Sequence, residues 1–436
     1  MSVRRATPLH IIHYSLSIIL LLVVALTACN HLPDSPKRFR SLPTQHTKIT
    51  FKNTITETED FNILNFHYIY NGGGVGVGDF DRNGLPDLVF SGNQVVSELY
   101  LNQGNLQFNN ISAAANFTPS GWTTGVSIVD LNQDGWDDIY LSVGGLNCEG
   151  NCNNQLFIHQ GLNADSIPVF KEMAAEYGLD DGFYTQQAAF FDHDLDGDLD
   201  VYLLHNVIDR RDKNAPSQKK FINQKSTDQL LVNNGRNQFS DASEQFGITK
   251  RGYGLGITLN DFNQDGHADI YVANDFLSDD LIYVSQLDEN GKIEQYLEQS
   301  KTYLKHQSYN SMGVDVADLN NDALPEICVL DMLPETHERL KNMQGFMNYD
   351  KFLLTLRNDY APQFVRNVLQ VNNGFLNDEQ LPFSEVGYQA GMYATDWSWS
   401  PLLADFDNDG DRDLFITNGY GKDITDLDFI NYSAQL

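Results

Sequence analysis

A nine-residue pattern that recurs six times constrains this chain more than any other feature. Its first copy reads Asp79-Phe80-Asp81-Arg82-Asn83-Gly84-Leu85-Pro86-Asp87, and further copies begin at Asp130, Asp192, Asp261, Asp318 and Asp405. The starts lie 51, 62, 69, 57 and 87 residues apart, a spacing that belongs to repeat architectures such as propellers. Positions 1, 3 and 5 carry Asp or Asn; position 6 is Gly in every copy but the fifth, where it is Ala323; position 9 is Asp or, in the fifth copy, Glu326. Alternate oxygen donors, a Gly for the sharp turn and a later carboxylate are the means by which a loop wraps a hard cation.

The expected ligands are Asp79, Asp81, Asn83 and Asp87; Asp130, Asn132, Asp134 and Asp138; Asp192, Asp194, Asp196 and Asp200. The other three sets are Asp261, Asn263, Asp265 and Asp269; Asp318, Asn320, Asp322 and Glu326; Asp405, Asp407, Asp409 and Asp413. A backbone carbonyl at position 7 is expected to join each set. Oxygen-only ligation without Cys or a dedicated His favours Ca²⁺, up to six ions, over zinc or copper. Mg²⁺ fits less well because it dehydrates reluctantly and rarely takes an all-protein cage. Ligand charge ranks the loops at Asp192 and Asp405 tightest. The loop at Asp318 ranks weakest: Ala323 stands where a left-handed turn is wanted, and Glu326 is one methylene longer than its counterparts.

The flanks exclude an EF-hand. Position 12, which should be Glu, is Phe90, Leu141, Leu203, Val272, Val329 and Ile416. Upstream runs such as Gly125-Val126-Ser127-Ile128-Val129 and downstream runs such as Ile139-Tyr140-Leu141 and Leu414-Phe415-Ile416 are short, β-branched and aromatic, so they read as strands. Between the loops, Leu99-Tyr100-Leu101-Asn102-Gln103-Gly104-Asn105, Leu230-Leu231-Val232-Asn233-Asn234-Gly235 and Val368-Leu369-Gln370-Val371-Asn372-Asn373-Gly374 each read as a strand entering a hairpin turn. Loop plus hairpin makes four strands per unit, the content of one propeller blade. The fold class is therefore all-β, a β-propeller of four-stranded blades. A helical insertion is expected at about 335–360, where Glu, Lys, Leu and Met are concentrated.

These loops resemble the FG-GAP/VCBS repeat. Thr56-Glu57-Thr58-Glu59-Asp60-Phe61-Asn62-Ile63-Leu64, Ser308-Tyr309-Asn310-Ser311-Met312-Gly313-Val314-Asp315, Leu330-Asp331-Met332-Leu333-Pro334-Glu335 and Asp423-Ile424-Thr425-Asp426-Leu427-Asp428-Phe429-Ile430 resemble, more narrowly, exported bacterial proteins grouped with cartilage acidic protein and the ASPIC/UnbV family. The resemblance spans Ile49 to Leu436. It implies a seven-bladed, calcium-bound propeller, where the six visible loops alone would make six blades, with an adhesive or ligand-binding role and no established reaction. Relatives of that kind run on through further repeats, so the chain is expected to be a fragment or a truncated product. The segment Ile49-Thr50-Phe51-Lys52-Asn53 is expected to pair with the last blade as a closing strand.

At the N-terminus, Arg4 and Arg5 precede an apolar run from Ile18 to Leu26. A membrane-spanning helix needs about 20 apolar residues, whereas a basic start, a short apolar core and small residues suit a removable signal peptide. Leu26-Thr27-Ala28-Cys29 resembles the bacterial lipobox, which implies a signal peptide over 1–28, a lipid on Cys29 and a tether over 29–48. The expected location is the outer membrane, facing the cell surface and held by the lipid without spanning. Cys148 and Cys152 fall in a Gly-rich loop, where an exported chain closes them as a disulfide; two free thiols are the alternative. Cys328 reads as a buried strand residue.

A formal charge of −31 excludes a nucleic-acid binder, which needs a basic footprint. The six loops take 20 of the 59 acids at ligand positions. No nucleophile elbow, P-loop or zinc-protease motif is present, and no carboxylate pair stands apart for glycoside chemistry. His193 and His267 lie inside loops at non-ligand positions and are expected to face solvent. Trp397 and Trp399 share a strand face, as core or as a sugar platform. The functional expectation is a non-enzymatic, calcium-binding surface propeller for a carbohydrate or protein ligand; the alternatives are a polysaccharide-processing enzyme or accessory subunit and a structural scaffold.

Overall fold

Six antiparallel sheets follow one another along the chain, each opened by a strand, an acidic loop and a second strand. The computed structural model describes residues 39–145, 152–206, 224–343, 348–374, 382–419 and 421–433. The chain divides into two units, residues 1–43 and 44–436, and the sheets belong to the second. The expected signal peptide, Cys29 and Cys148 lie outside the described residues. Cys152 is fully buried and disulfide-bonded. No helix among the described residues is long and apolar enough to cross a membrane.

The first sheet comprises β1 (Val75–Gly78), β2 (Asp87–Phe90), β3 (Glu98–Asn102) and β4 (Phe108–Asn110), hydrogen-bonded in that order. The second comprises β5 (Trp122–Val129), β6 (Asp138–Gly144), β7 (Gln155–Leu162) and β8 (Pro168–Glu172). In the third are β9 (Thr185–Phe191), β10 (Asp200–His205), β11 (Gln229–Asn233) and β12 (Phe239–Asp241), and in the fourth β13 (Gly254–Asn260), β14 (Asp269–Asn274), β15 (Leu281–Leu287) and β16 (Ile293–Glu298). A short parallel pair, β17 (Gln307–Ser308) with β20 (Gln363–Phe364), brackets the start of the fifth sheet. That sheet is β18 (Val314–Ala317), β19 (Glu326–Val329), β21 (Val368–Asn372) and β22 (Phe383–Glu385); the sixth is the two-stranded β23 (Ser398–Ala404) and β24 (Asp413–Asn418). The first strands pack in series, β1 on β5, β5 on β9, β9 on β13, β13 on β18 and β18 on β23, which makes them the inner ring of a propeller of four-stranded blades.

Burial follows from that stacking. Every residue of β6, β10, β14 and β19 is buried, because a sheet stacked on both faces needs a continuous apolar run rather than alternation. Between the first two sheets Val89, Leu99 and Leu101 meet Ile139, Leu141 and Phe157. Between the third and fourth Tyr202, Leu204 and Leu230 meet Ile257, Ile270 and Tyr283. Each such side chain contributes about 1.5–3 kcal/mol on burial. β24 departs from this: Leu414 and Phe415 remain exposed.

The segment Ile49–Asn53 forms no strand and does not close the ring. It crosses the first sheet instead: Phe51 stacks on Phe90 with ring centroids 5.1 Å apart, and the Tyr100 hydroxyl accepts from the Thr50 and Phe51 amides at 3.2 and 3.0 Å. Its apolar residues find partners on the face of that sheet turned away from the second. Ile63, Phe66, Tyr68 and Ile69 then pack against Trp122 and Leu255, at the beginnings of β5 and β13. The acidic loops follow the ends of the same strands, so this segment covers the opposite face of the propeller.

The insertion contains helices His337–Asn342 and Tyr349–Arg357, capped by the Thr336 and Asn348 side chains. Arg339 bridges Asp396 and Asp423, tying the insertion to the C-terminal segment. Trp397 is buried among Met312, Met332 and Met343 with Trp399 beside it, so the pair is core and not a platform. His193 and His267, expected in solvent, are 1 % and 8 % exposed; His193 lies edge-on to Phe246, in the connection after β12, at 4.7 Å. Cys328 is buried and free.

Candidate metal centre

All six loops have one hydrogen-bond plan. The position 1 carboxylates of Asp79, Asp130, Asp192, Asp261, Asp318 and Asp405 each accept from the backbone N–H of positions 5 and 6, at 2.8–3.1 Å. Position 5, which is Asn83, Asp134, Asp196, Asp265, Asp322 or Asp409, accepts from the N–H of position 7 at 2.7–3.1 Å. Position 9 accepts from the N–H of position 2 at 2.7–3.1 Å. Asp87, Asp138, Asp200 and Asp269 also reach the third strand of their sheet, accepting from Asn102, His159, Asn233 and Ser285 at 2.7–2.8 Å. The last carboxylate thus fastens the loop to three strands before any ion is considered.

Two left-handed residues shape each loop. Position 6 has φ of +83°, +85°, +97°, +90° and +99° at Gly84, Gly135, Gly197, Gly266 and Gly410, and +69° at Ala323. Position 4 is also left-handed, at +55° to +60°, and there it is never Gly: Arg82, Gln133, Leu195, Gln264, Asn321 and Asn408. The sequence pattern did not reveal this second turn. Its signal is the polar, amide-rich character of position 4, which serves a contact to the next loop. Arg82 donates to the Gly135 carbonyl, Gln133 to Gly197 at 2.6 Å and Gln264 to Ala323 at 3.1 Å, while Asn321 donates to Asp411 Oδ1 at 2.8 Å.

Carboxylate oxygens converge in three loops. Those of Asp79, Asp81 and Asp87, of Asp192, Asp194 and Asp200, and of Asp405, Asp407 and Asp413 lie within 4.8 Å of one another. Two oxygens bound at about 2.4 Å to one Ca²⁺ can be no more than about 4.8 Å apart, so these sets fit the ion. The loops at Asp130, Asp261 and Asp318 have Asn at position 3, and there Asn132, Asn263 and Asn320 accept from the position 5 amide. In this geometry position 5 turns toward its position 7 amide and stands outside the converging carboxylates.

Electrostatics favour a cation. Burial pushes the Asp87 carboxyl up to about 6 and those of Asp138, Asp200 and Asp269 up to about 7; backbone N–H bonds oppose the rise and neighbouring loop acids add to it. Burial raises Glu326 as well. The half-buried Asp405 is lowered by the N–H bond from Gly410. Buried acids crowded by like charge are the environment that a bound divalent ion relieves.

A second repeated device precedes the third strand of five sheets. Ser97, Asn154, Asp228, Asp280 and Asn367 accept from the amides of Gly92, Val143, His205, Asn274 and Asp331 at 2.7–3.0 Å. Each of these amides lies five residues beyond the last loop ligand. Because Ser, Asn and Asp share one acceptor role, this position carries no single-letter signature.

Stacked antiparallel sheets, each opened by an acidic loop between its first two strands, define a class, the β-propeller with acidic blade turns. Residues 79–141 and 261–329 match the model of the FG-GAP-like repeat, so the chain carries that repeat on its first, second, fourth and fifth sheets. No curated protein matches the chain. Among solved structures, a chain from BBS1N in complex with ARL6DN, soaked with lead, is 11% identical with a TM-score of 0.38, over 79% of this chain and 75% of that one. The V. cholerae biofilm matrix protein Bap1 is 13% identical with a TM-score of 0.32, over 77% and 47%. An endo-arabinase from Bacteroides thetaiotaomicron is 11% identical with a TM-score of 0.30, over 68% and 94%. Likenesses of this size carry no argument about what the chain binds.

Proposed function

We propose that the chain is a calcium-loaded, non-enzymatic propeller that binds a carbohydrate or protein partner at the cell surface. The observation that carries the calcium reading is the convergence of three carboxylates within 4.8 Å in three loops of identical plan. Calcium joins the first and second strands of each sheet, and through position 9 the third, so it rigidifies the inner ring on which exposed loops stand. The binding reading rests on the commitment of the loop acids to ions, which leaves the exposed loops for recognition. Export, a signal peptide over 1–28 and a lipid on Cys29 of an outer-membrane lipoprotein complete the proposal; their support is the sequence of the first 29 residues.

Two measurements test it. Calcium titration of chelator-stripped protein should find close to one ion per loop and a large rise in melting temperature; an unchanged melting curve in excess EDTA overturns the calcium reading. A glycan and protein array probed with and without calcium should give calcium-dependent binding. Turnover of a bound polysaccharide would instead identify an enzyme.

A further inference from the structure

The array of sheets has two ends, and side chains there lack the cover that each sheet gives its neighbour. Among the described residues, β23 does not pack on β1 in the way that each first strand packs on the next. A Cβ at Gly76 or Gly78 would press on Ile128 of β5, so Val75 and Val77 point away from the second sheet, and they are 55 % and 56 % exposed. At the other end Leu403 and Ile416 pack on Cys328 and Leu330, in and just after β19. Leu402 and its cross-strand partner Phe415 lie on the opposite face of that two-stranded sheet and remain exposed. Among the described residues, the two ends are joined neither by strand pairing nor by the packing that joins the other sheets.

Residues 55–71 run between those ends. Just upstream, Phe51 fixes the chain to the first sheet through Phe90. Phe61 and Phe66 lie edge-on to Trp122 of β5, with ring centroids 5.5 and 5.6 Å away. Over the fourth sheet, the Tyr68 hydroxyl donates to the buried Asp275 carboxylate, just beyond β14, at 2.8 Å. Ile424, six residues beyond β24, joins the same apolar cluster, and Lys422 pairs with Glu57. Asp423 in turn holds Arg339, which also reaches Asp396, two residues before β23, at 2.6 Å. An exposed ion pair contributes little by itself; the Glu57–Lys422 pair fixes which residues meet, and the buried Ile63, Phe66 and Ile69 supply the hold. The segment enters no sheet. Its backbone bonds include local turns, such as Phe66 N–H to the Asn62 carbonyl at 2.8 Å and Ile69 N–H to the Phe66 carbonyl at 3.1 Å, so lifting it breaks no strand pairing.

We propose that residues 55–71 are a releasable strap that closes the ring. Fastened between the first sheet and the segment after β24, they hold the two ends of the array at a fixed separation. Released, they let the first and sixth sheets part while the sheets between stay stacked. A passive cover would touch only the sheets beneath it; this segment begins on the first sheet and finishes on residues beyond the sixth.

The test is amide hydrogen exchange, read by mass spectrometry, on the full calcium-saturated chain. Phe66→Ala should speed exchange in β1–β2 and in β23–β24 about tenfold or more, within what the loss of one buried Phe supplies, and leave β10 and β11 of the third sheet unchanged. Lys422→Glu should speed exchange in β23–β24 about two- to fivefold, the scale of a surface pair turned repulsive. A double variant, Glu57→Cys with Lys422→Cys, joined by a short bismaleimide, should exchange more slowly in β23–β24 than the same variant left unjoined, and the link should cancel the effect of Phe66→Ala. Exchange that rises equally in every sheet, or only in the second sheet where Phe66 sits, assigns the segment to the core and overturns the strap. So does a link that leaves β23–β24 unchanged, and this arm decides the matter where Phe66→Ala fails to fold.

Discussion

The Gln133 side-chain amide donates to the Gly197 carbonyl at 2.6 Å, joining the second ion loop to the third. Gln133 holds a left-handed backbone at φ +57°, a conformation that costs a non-Gly residue about 1–2 kcal/mol. The strain persists because it aims the side chain at the turn whose amides order the next set of ligands. The geometry of one loop is thereby tied to that of its neighbour. Gln133→Ala should lose about 1 kcal/mol of stability and lower the affinity of the Asp192 loop without touching a ligand. Calcium titration followed by amide exchange at Gly197 checks both effects, and unchanged exchange there would refute the coupling.

Leu195 breaks the series. It is left-handed at φ +58° and 59 % exposed, and it has no donor to offer the fourth loop. Leu195→Gln should supply the missing link toward Gly266, as Gln133 does toward Gly197. The expected result is a gain of about 0.5–1.5 kcal/mol in calcium-loaded protein, read from chemical denaturation.

Much of the architecture was legible from residues alone. The acidic loops between β-branched runs, and hairpins such as Asn102 to Gly104, encode local turns, and local turns in register imply stacked sheets. What escaped depends on distant partners. Position 4 looks like ordinary loop polarity until Gln133 is seen beside Gly197. The alternation of Ile49 and Phe51 suits a strand, yet Phe51 finds Phe90 before it finds a ladder. His193 is polar in sequence but meets Phe246, 53 residues further along in the connection after β12. Phe364 and Tyr388, 24 residues apart, share a cavity only because the insertion folds back over the fifth sheet.

Ala323 tests the turn directly. Its φ of +69° is required for its amide to reach Asp318 Oδ2 at 2.8 Å. Ala323→Gly should stabilise the protein by about 0.5–1 kcal/mol, since relief of the left-handed strain exceeds the added entropy of the unfolded chain. It should also raise the calcium affinity of the fifth loop. A lower melting temperature for this variant would show that the loop does not need the conformation.

The pH dependence of stability should carry the mark of Asp228 and Asp280. Burial pushes their carboxyls up to about 6 and about 7. The folded state then holds protons that the unfolded chain releases, so their contribution is present below about pH 4 and is lost as pH rises through 6 to 7. With calcium saturating the loop acids, melting temperature should still fall between pH 5 and 8. Asp280→Asn should flatten that fall, because Asn154 and Asn367 already fill the equivalent place in the second and fifth sheets. An identical slope in the variant would assign the pH dependence elsewhere.

Within one loop, Asp194 and Asp200 should answer differently to the same substitution. Asp194 accepts no hydrogen bond among the described residues, and its carboxylate lies within 4.8 Å of those of Asp192 and Asp200. Without calcium it contributes only repulsion, so Asp194→Asn should raise the melting temperature of stripped protein. With calcium the sign should reverse, because a charged ligand is gone. Asp200 accepts from His193 and Asn233 at 3.0 and 2.8 Å and is 1 % exposed. Asp200→Ala should therefore destabilise both states, leaving two buried amides unpaired at about 1–3 kcal/mol each. Melting curves of the two variants in EDTA and in millimolar calcium decide the matter: if Asp194→Asn lowers stability equally in both, the carboxylate is structural and the ion reading of this loop fails.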